Sequence, residues 1–194
     1  MRKDYSDKKF YFIIRNLVCP IFKLIFRPII INDDVIPTEG KIILAGNHTS
    51  MLDPILLMST TKRHIHFLTK SELFKGPKKI IFDNLGLIPV NRKTKDKNVL
   101  KETKEYLKNN KAIGIFPEGT TEKDKYPNLL PFKVGAVKLA TDTNTKIIPF
   151  KIIGKYNLFK RVKIVFGKPF ITENNIEKDN KRLYNIINDM KGSD

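Results

Sequence analysis

The sequence predicts an α/β fold: a mixed, partly parallel sheet flanked by helices, with an N-terminal amphipathic two-helix segment suited to binding a membrane surface. Three observations lead there. From Lys41 onward, short apolar runs alternate with helix-length amphipathic segments, the pattern of strands joined by helical crossovers. The runs KIILA (Lys41–Ala45), apolar after its lysine, and AIGIF (Ala112–Phe116) read as short buried strands. The stretch Phe10–Asn32 is different, an apolar and aromatic run broken by Arg15, Lys23 and Arg27.

Taken in order, that first stretch divides at Pro20 and Pro28 into two short helical pieces. Its cations interrupt every run that could span a bilayer, which needs about 20 apolar residues. No small-residue cleavage site follows it, as a signal peptide requires. Cations interleaved with Phe, Tyr, Ile and Leu suit helices lying in a lipid interface; a helical hairpin packed on the core is the competing reading. Residues 1–32 are therefore assigned to the membrane-associating helices and 33–194 to the main domain.

In that domain Lys41–Ala45 is a strand and a helix begins near Pro54. His64–Thr69 alternates as a strand, with Ser71 placed to cap the next helix. Leu87–Val90 is a strand, 96–109 a helix, Ala112–Phe116 a strand and Phe132–Thr141 a helix. Lys146–Ile153 and Val162–Phe166 are strands, and a charged helix over Asn175–Met190 closes the chain. The loops after Ala45, Val90 and Phe116 lie at carboxyl ends of strands, where ligands collect in such sheets.

With 194 residues, 41% of them hydrophobic, the chain supports one core. Lys and Arg total 37 against 20 Asp and Glu, a net charge of +17. That excess suits nucleic acid, anionic lipid or a phosphorylated substrate, and equally a lysine-decorated surface, so charge alone selects none. One cysteine, Cys19, and three histidines argue against a disulfide framework or a zinc site, and no metal is expected. His64 and His66 face one side of their strand, and packing accounts for both. Neither a dinucleotide-binding glycine fingerprint nor a P-loop is present.

The densest polar cluster is Gly46-Asn47-His48-Thr49-Ser50-Met51-Leu52-Asp53-Pro54. On a straight helix His48 and Asp53 would stand roughly 140° apart. In a turn ended by Pro54, a first-turn helix residue, they can meet. Asp53 can then hold one imidazole nitrogen and leave the other as a base for an alcohol. No Gly-x-Ser-x-Gly elbow offers an enzyme nucleophile. Main-chain N–H groups of the turn are candidates to steady an oxyanion.

Asn47-His48-x-x-x-x-Asp53 resembles the first block of the glycerolipid acyltransferases that include the 1-acylglycerol-3-phosphate acyltransferases. Gly86-Leu87-Ile88-Pro89-Val90-Asn91-Arg92, Phe116-Pro117-Glu118-Gly119-Thr120 and Ile147-Ile148-Pro149-Phe150 are similar to its second, third and fourth blocks, in order. The resemblance implies His48 and Asp53 as the catalytic pair, and Asn47, Arg92, Glu118, Gly119 and Thr120 around the substrate, with Arg92 on the acceptor's phosphate. It implies acyl transfer from acyl-CoA or acyl carrier protein to lysophosphatidic acid, giving phosphatidic acid, without a cofactor. The protein would then be peripheral (monotopic) on the cytoplasmic face of the cell membrane. One residue departs from the pattern: Thr121 stands where arginine commonly follows the third block. A second phosphate cation must then come from elsewhere, with Lys93, Lys123 and Lys125 as candidates, or the acceptor is another lyso-lipid. A nucleic-acid-binding module is the rival of a different class, but no aromatic-basic RNA-binding motif is seen, so no nucleic-acid partner is expected.

Overall fold

The computed structural model describes residues 8–76, 78–91, 97–121, 129–158 and 160–192. Among them are seven strands: β1 (Ile29–Ile31), β2 (Ile42–Gly46), β3 (Ile65–Lys70), β4 (Ile88–Val90), β5 (Ala112–Ile115), β6 (Lys146–Ile153) and β7 (Lys163–Phe166). They join in one sheet in the order β1-β7-β6-β2-β5-β3-β4. Strands β6, β2, β5, β3 and β4 run parallel, whereas β7 is antiparallel to β6 and carries β1 parallel to itself. The mixed, mostly parallel sheet matches the expectation, and it places the carboxyl ends of β2, β4 and β5 along one edge.

Six α-helices among the described residues cover the two faces: α1 (Lys8–Phe26), α2 (Asp53–Thr60), α3 (Lys78–Asn84), α4 (Lys97–Lys108), α5 (Gly135–Thr143) and α6 (Ile176–Asp189). The period-two geometry of a strand sorts the core. Ile42 and Leu44 of β2 pack with Leu56 and Leu57 of α2 and Tyr11 and Phe22 of α1. Ile43 and Ala45 face the other way, among Leu107 of α4, Val137 and Leu139 of α5, and Leu183 and Ile187 of α6. Each fully buried Leu or Ile contributes about 1.5–3 kcal/mol, which explains why β2, apolar on both faces, sits centrally. Ser71 opens a short 3-10 turn with Lys70 at its cap position, and α3 follows.

The N-terminal segment differs from its expectation. Instead of two helices divided at Pro20, α1 runs unbroken through that residue, and the residues after Pro28 form β1. An interior proline costs a helix about 3 kcal/mol. Here Cys19 and Phe22, on either side of it, are both buried in the core, and this burial offsets the loss. Arg15 falls on the same inner face and donates to the Thr61 carbonyl from Nε (3.0 Å) and Nη2 (2.7 Å). A cation there also suits the negative end of the α2 dipole. The helix ends where Arg27 enters the left-handed region (φ 42°), its N–H donating to the Lys23 carbonyl at 2.9 Å.

Candidate active site

Gly46 ends β2 beneath the Phe150 ring, so close that a Cβ built there would lie 2.3 Å from that ring. Only glycine lets the two strand ends approach this way. Asn47 follows, and its side chain continues the β2–β6 ladder: Nδ2 donates to the Ile152 carbonyl (2.9 Å), while Oδ1 accepts from the Ile152 N–H (2.6 Å). The residue expected beside substrate thus braces the strand end and fixes the direction in which His48 leaves the sheet.

His48 and Asp53 do meet in the turn. His48 Nδ1 lies 2.8 Å from Asp53 Oδ2, and the carboxylate is fully buried as the first residue of α2. Oδ2 also accepts from the N–H groups of Thr49 (2.5 Å) and Ser50 (2.9 Å). Oδ1 accepts from Thr49 Oγ1 at 3.1 Å and from the Tyr156 hydroxyl at 2.6 Å. Five donors converge on one carboxyl group, an arrangement that suits the ionised, acceptor-only form. With Asp53 an acceptor at Nδ1, that nitrogen carries the proton and Nε2 is the unprotonated nitrogen of the neutral ring. The imidazole stacks on Phe116, centroids 4.2 Å apart, which fixes its plane.

Glu118 supports the pair from the loop after β5. Its Oε1 accepts the His48 N–H at 2.8 Å and its Oε2 accepts the Leu130 N–H at 3.0 Å. The loop is a β-turn closed by Gly119 N–H to the Phe116 carbonyl (3.0 Å), with proline second and glycine fourth, positions those residues favour. Gly119 has φ +73°, and the Lys133 ammonium lies against it, 3.0 Å from where a Cβ would stand. Thr120 and Thr121 are half-buried beside it. Of the expected site residues, Asn47, His48, Asp53, Glu118, Gly119 and Thr120 lie along the edge where β2 and β5 end. Arg92, Lys93, Lys123 and Lys125 lie outside the described residues.

Tyr156, three residues after β6, carries no motif in the sequence and was not anticipated. Burial, reinforced by the charge of Asp53, pushes its phenol well above the usual range, so it remains a donor. The turn's N–H groups at His48, Thr49, Ser50, Leu52 and Asp53 all donate within this framework. They are therefore engaged in holding the pair and not in waiting for an oxyanion. His64 and His66, stacked 4.1 Å apart, reach the carbonyls of Leu85 and Gly86, a packing role as expected. Among the described residues no group of three or more His, Cys, Asp or Glu is placed to hold a metal.

A family model described as Acyltransferase matches residues 27–153. The chain belongs to the acyltransferase family. The 1-acyl-sn-glycerol-3-phosphate acyltransferase of Borreliella burgdorferi is 31% identical over 134 residues, covering 68% of this chain and 53% of that protein. The enzyme of the same name from Bacillus subtilis is 28% identical over 145 residues, 71% of each. Against the first of these acyltransferases, then, the match spans about half the relative's length. The crystal structure of the 1-acyl-sn-glycerophosphate (LPA) acyltransferase PlsC from Thermotoga maritima shares the fold, with TM-score 0.69 at 22% identity over 90% of this chain and 78% of that one.

Proposed function

We propose that the protein transfers a fatty acyl group from a thioester donor, acyl-CoA or acyl carrier protein, to the free hydroxyl of lysophosphatidic acid, giving phosphatidic acid. The observation that carries this reading is the His48–Asp53 pair, buried at the ligand edge of the sheet in a chain of the acyltransferase family. A thioester is already activated, so no enzyme nucleophile is needed. His48 Nε2 removes the hydroxyl proton as the oxygen attacks the thioester carbonyl. The tetrahedral intermediate collapses by breaking the carbon–sulfur bond, and the imidazolium returns its proton to the leaving thiolate. Asp53 stabilises the imidazolium in between. General-base catalysis contributes about 10²–10⁴-fold; holding two amphiphiles in attack geometry supplies much of the rest.

Arg92, two residues past β4, is the proposed ligand of the acceptor's phosphate, a task that suits a planar guanidinium. Lys133, over Gly119, is the candidate among the described residues for the second cation that Thr121 does not provide. Because Thr121 departs from the family pattern, another lyso-lipid acceptor is the second reading.

A lipid surface is the proposed setting, with the protein peripheral on the cytoplasmic face of the membrane. Ile13, Leu17, Ile21 and Leu24 form an exposed apolar stripe on α1, each at least half exposed. Ile80 and Ile81 on α3, which touches α1, are exposed too. Such a face, rimmed by cations, suits burial at the headgroup boundary. No described helix is long and apolar enough to cross a membrane. The deciding experiment is an acyl-transfer assay over a panel of lyso-lipids with both donors, run beside His48→Ala. Loss of nearly all turnover with folding retained is expected; a folded variant with near-normal rates overturns the mechanism. Leu17→Glu with Leu24→Glu should abolish binding to anionic vesicles, and retained binding would place the lipid contact elsewhere.

A further inference from the structure

We propose that Tyr156 is a positioning residue that couples helix α1 to the catalytic pair through Asp53, a proposal that rests on the His48–Asp53 reading above. The hydroxyl of Tyr156 donates to Asp53 Oδ1 at 2.6 Å, on the side of the carboxylate opposite the one that holds His48. Of the two donors on Oδ1, Thr49 Oγ1 belongs to the turn itself, and Tyr156 is the one that comes from outside it. The phenol ring is in turn held edge-on by two α1 residues. Phe26 stands 5.6 Å away at 86° and Phe22 6.0 Å away at 62°. Phe22 is buried in the core cluster, and Phe26 and Tyr156 pack against it as partly buried members.

A continuous chain of contacts therefore runs from α1 to the ring of Tyr156, on to Asp53, and from there to Nδ1 of His48. The outer face of the same helix is the exposed apolar stripe. The orientation of the base thus depends on how α1 sits over the sheet, as well as on the turn that carries it. A charge-assisted hydrogen bond at 2.6 Å is short and directional. Losing it removes the contact that ties Asp53 to a segment outside its own turn and relaxes the alignment of the imidazole.

The test uses Tyr156→Phe, which keeps the ring and its edge-on packing, with turnover measured on a short-chain lyso-acceptor that needs no vesicle. The expected result is a fall in kcat of about 10-fold, the rate equivalent of one hydrogen bond to a charged group, with KM within twofold. Phe26→Ala should lower kcat in the same direction in the parent, and add little in the Tyr156→Phe background, since both act through one contact chain. Unchanged kcat in Tyr156→Phe, while His48→Ala is inactive, overturns the positioning role and leaves the dyad standing. Fully additive effects of Phe26→Ala and Tyr156→Phe overturn the coupling to α1. Retained activity in His48→Ala refutes the underlying mechanism instead.

Discussion

Asp53→Asn separates the charge of the pair from its geometry, and the structure gives the size of the effect. Three N–H donors, from His48, Thr49 and Ser50, point at Oδ2. Two hydroxyls, from Thr49 and Tyr156, point at Oδ1. An asparagine therefore settles with its carbonyl oxygen at the Oδ2 position, because only hydroxyls can turn to accept from its NH2. The Nδ1–H bond, the tautomer and the turn all survive, and the fold should lose only about 1 kcal/mol. What disappears is the negative charge that faces the imidazolium in the proposed mechanism. Two unit charges about 4 Å apart at an effective dielectric near 20 attract by about 4 kcal/mol. At about 1.36 kcal/mol per tenfold, that corresponds to a kcat loss of roughly 10³. Release of free thiol from the donor, followed continuously with saturating acceptor, reads kcat, and a thermal melt of the same sample reads the fold. A folded variant that loses less than about tenfold would refute the claim that Asp53 acts by charge. A variant that unfolds would refute the assignment of donors to its two oxygens.

Three further outcomes are expected. Gly46→Ala drives a methyl into the Phe150 ring, and overpacking of this kind should cost about 1–3 kcal/mol, seen as a lowered denaturant midpoint. Glu118→Gln leaves one carbonyl oxygen where two carboxylate oxygens accept from His48 and Leu130; it should lower stability by about 1–3 kcal/mol and reduce kcat by shifting the main chain of His48. Burial pushes Tyr11 up to about 12 from 10.0, so the fold favours its neutral form. That stability is complete below pH 10.0 and lost as pH rises towards about 12, amounting to about 2–3 kcal/mol. Melts between those limits should show the decline, and Tyr11→Phe should flatten it.

The strands that carry the site were legible because they are buried on both faces. Runs such as IILAG in β2 and AIGI in β5 exclude polar residues wherever helices cover both sides of a sheet. The turn from His48 to Pro54 was legible for a local reason: a proline at the start of a helix restricts the residues just before it. Pro20 misled, because a propensity rule sees the missing N–H but not the burial of Cys19 and Phe22 around it. Strand β1 was hidden within an apolar stretch that reads equally as helix, and its pairing with β7 joins residues more than a hundred positions apart.

By itself the sequence determined the alternation of strands and helices after Lys41 and a turn in which His48 and Asp53 can meet, and its resemblance to the family's blocks implied Glu118 and Gly119 beside them. The alternation and the turn follow from periodicity and from contacts a few residues long, the place of Glu118 and Gly119 from the resemblance alone. Only the tertiary structure decided what surrounds the pair: Asn47 bridging to Ile152, Glu118 accepting from His48, and Tyr156 donating to Asp53 across 103 positions. Each is a polar contact between distant segments. A lone Asn, Glu or Tyr carries no periodic signal, so its partner is settled only when the sheet brings two loop ends together.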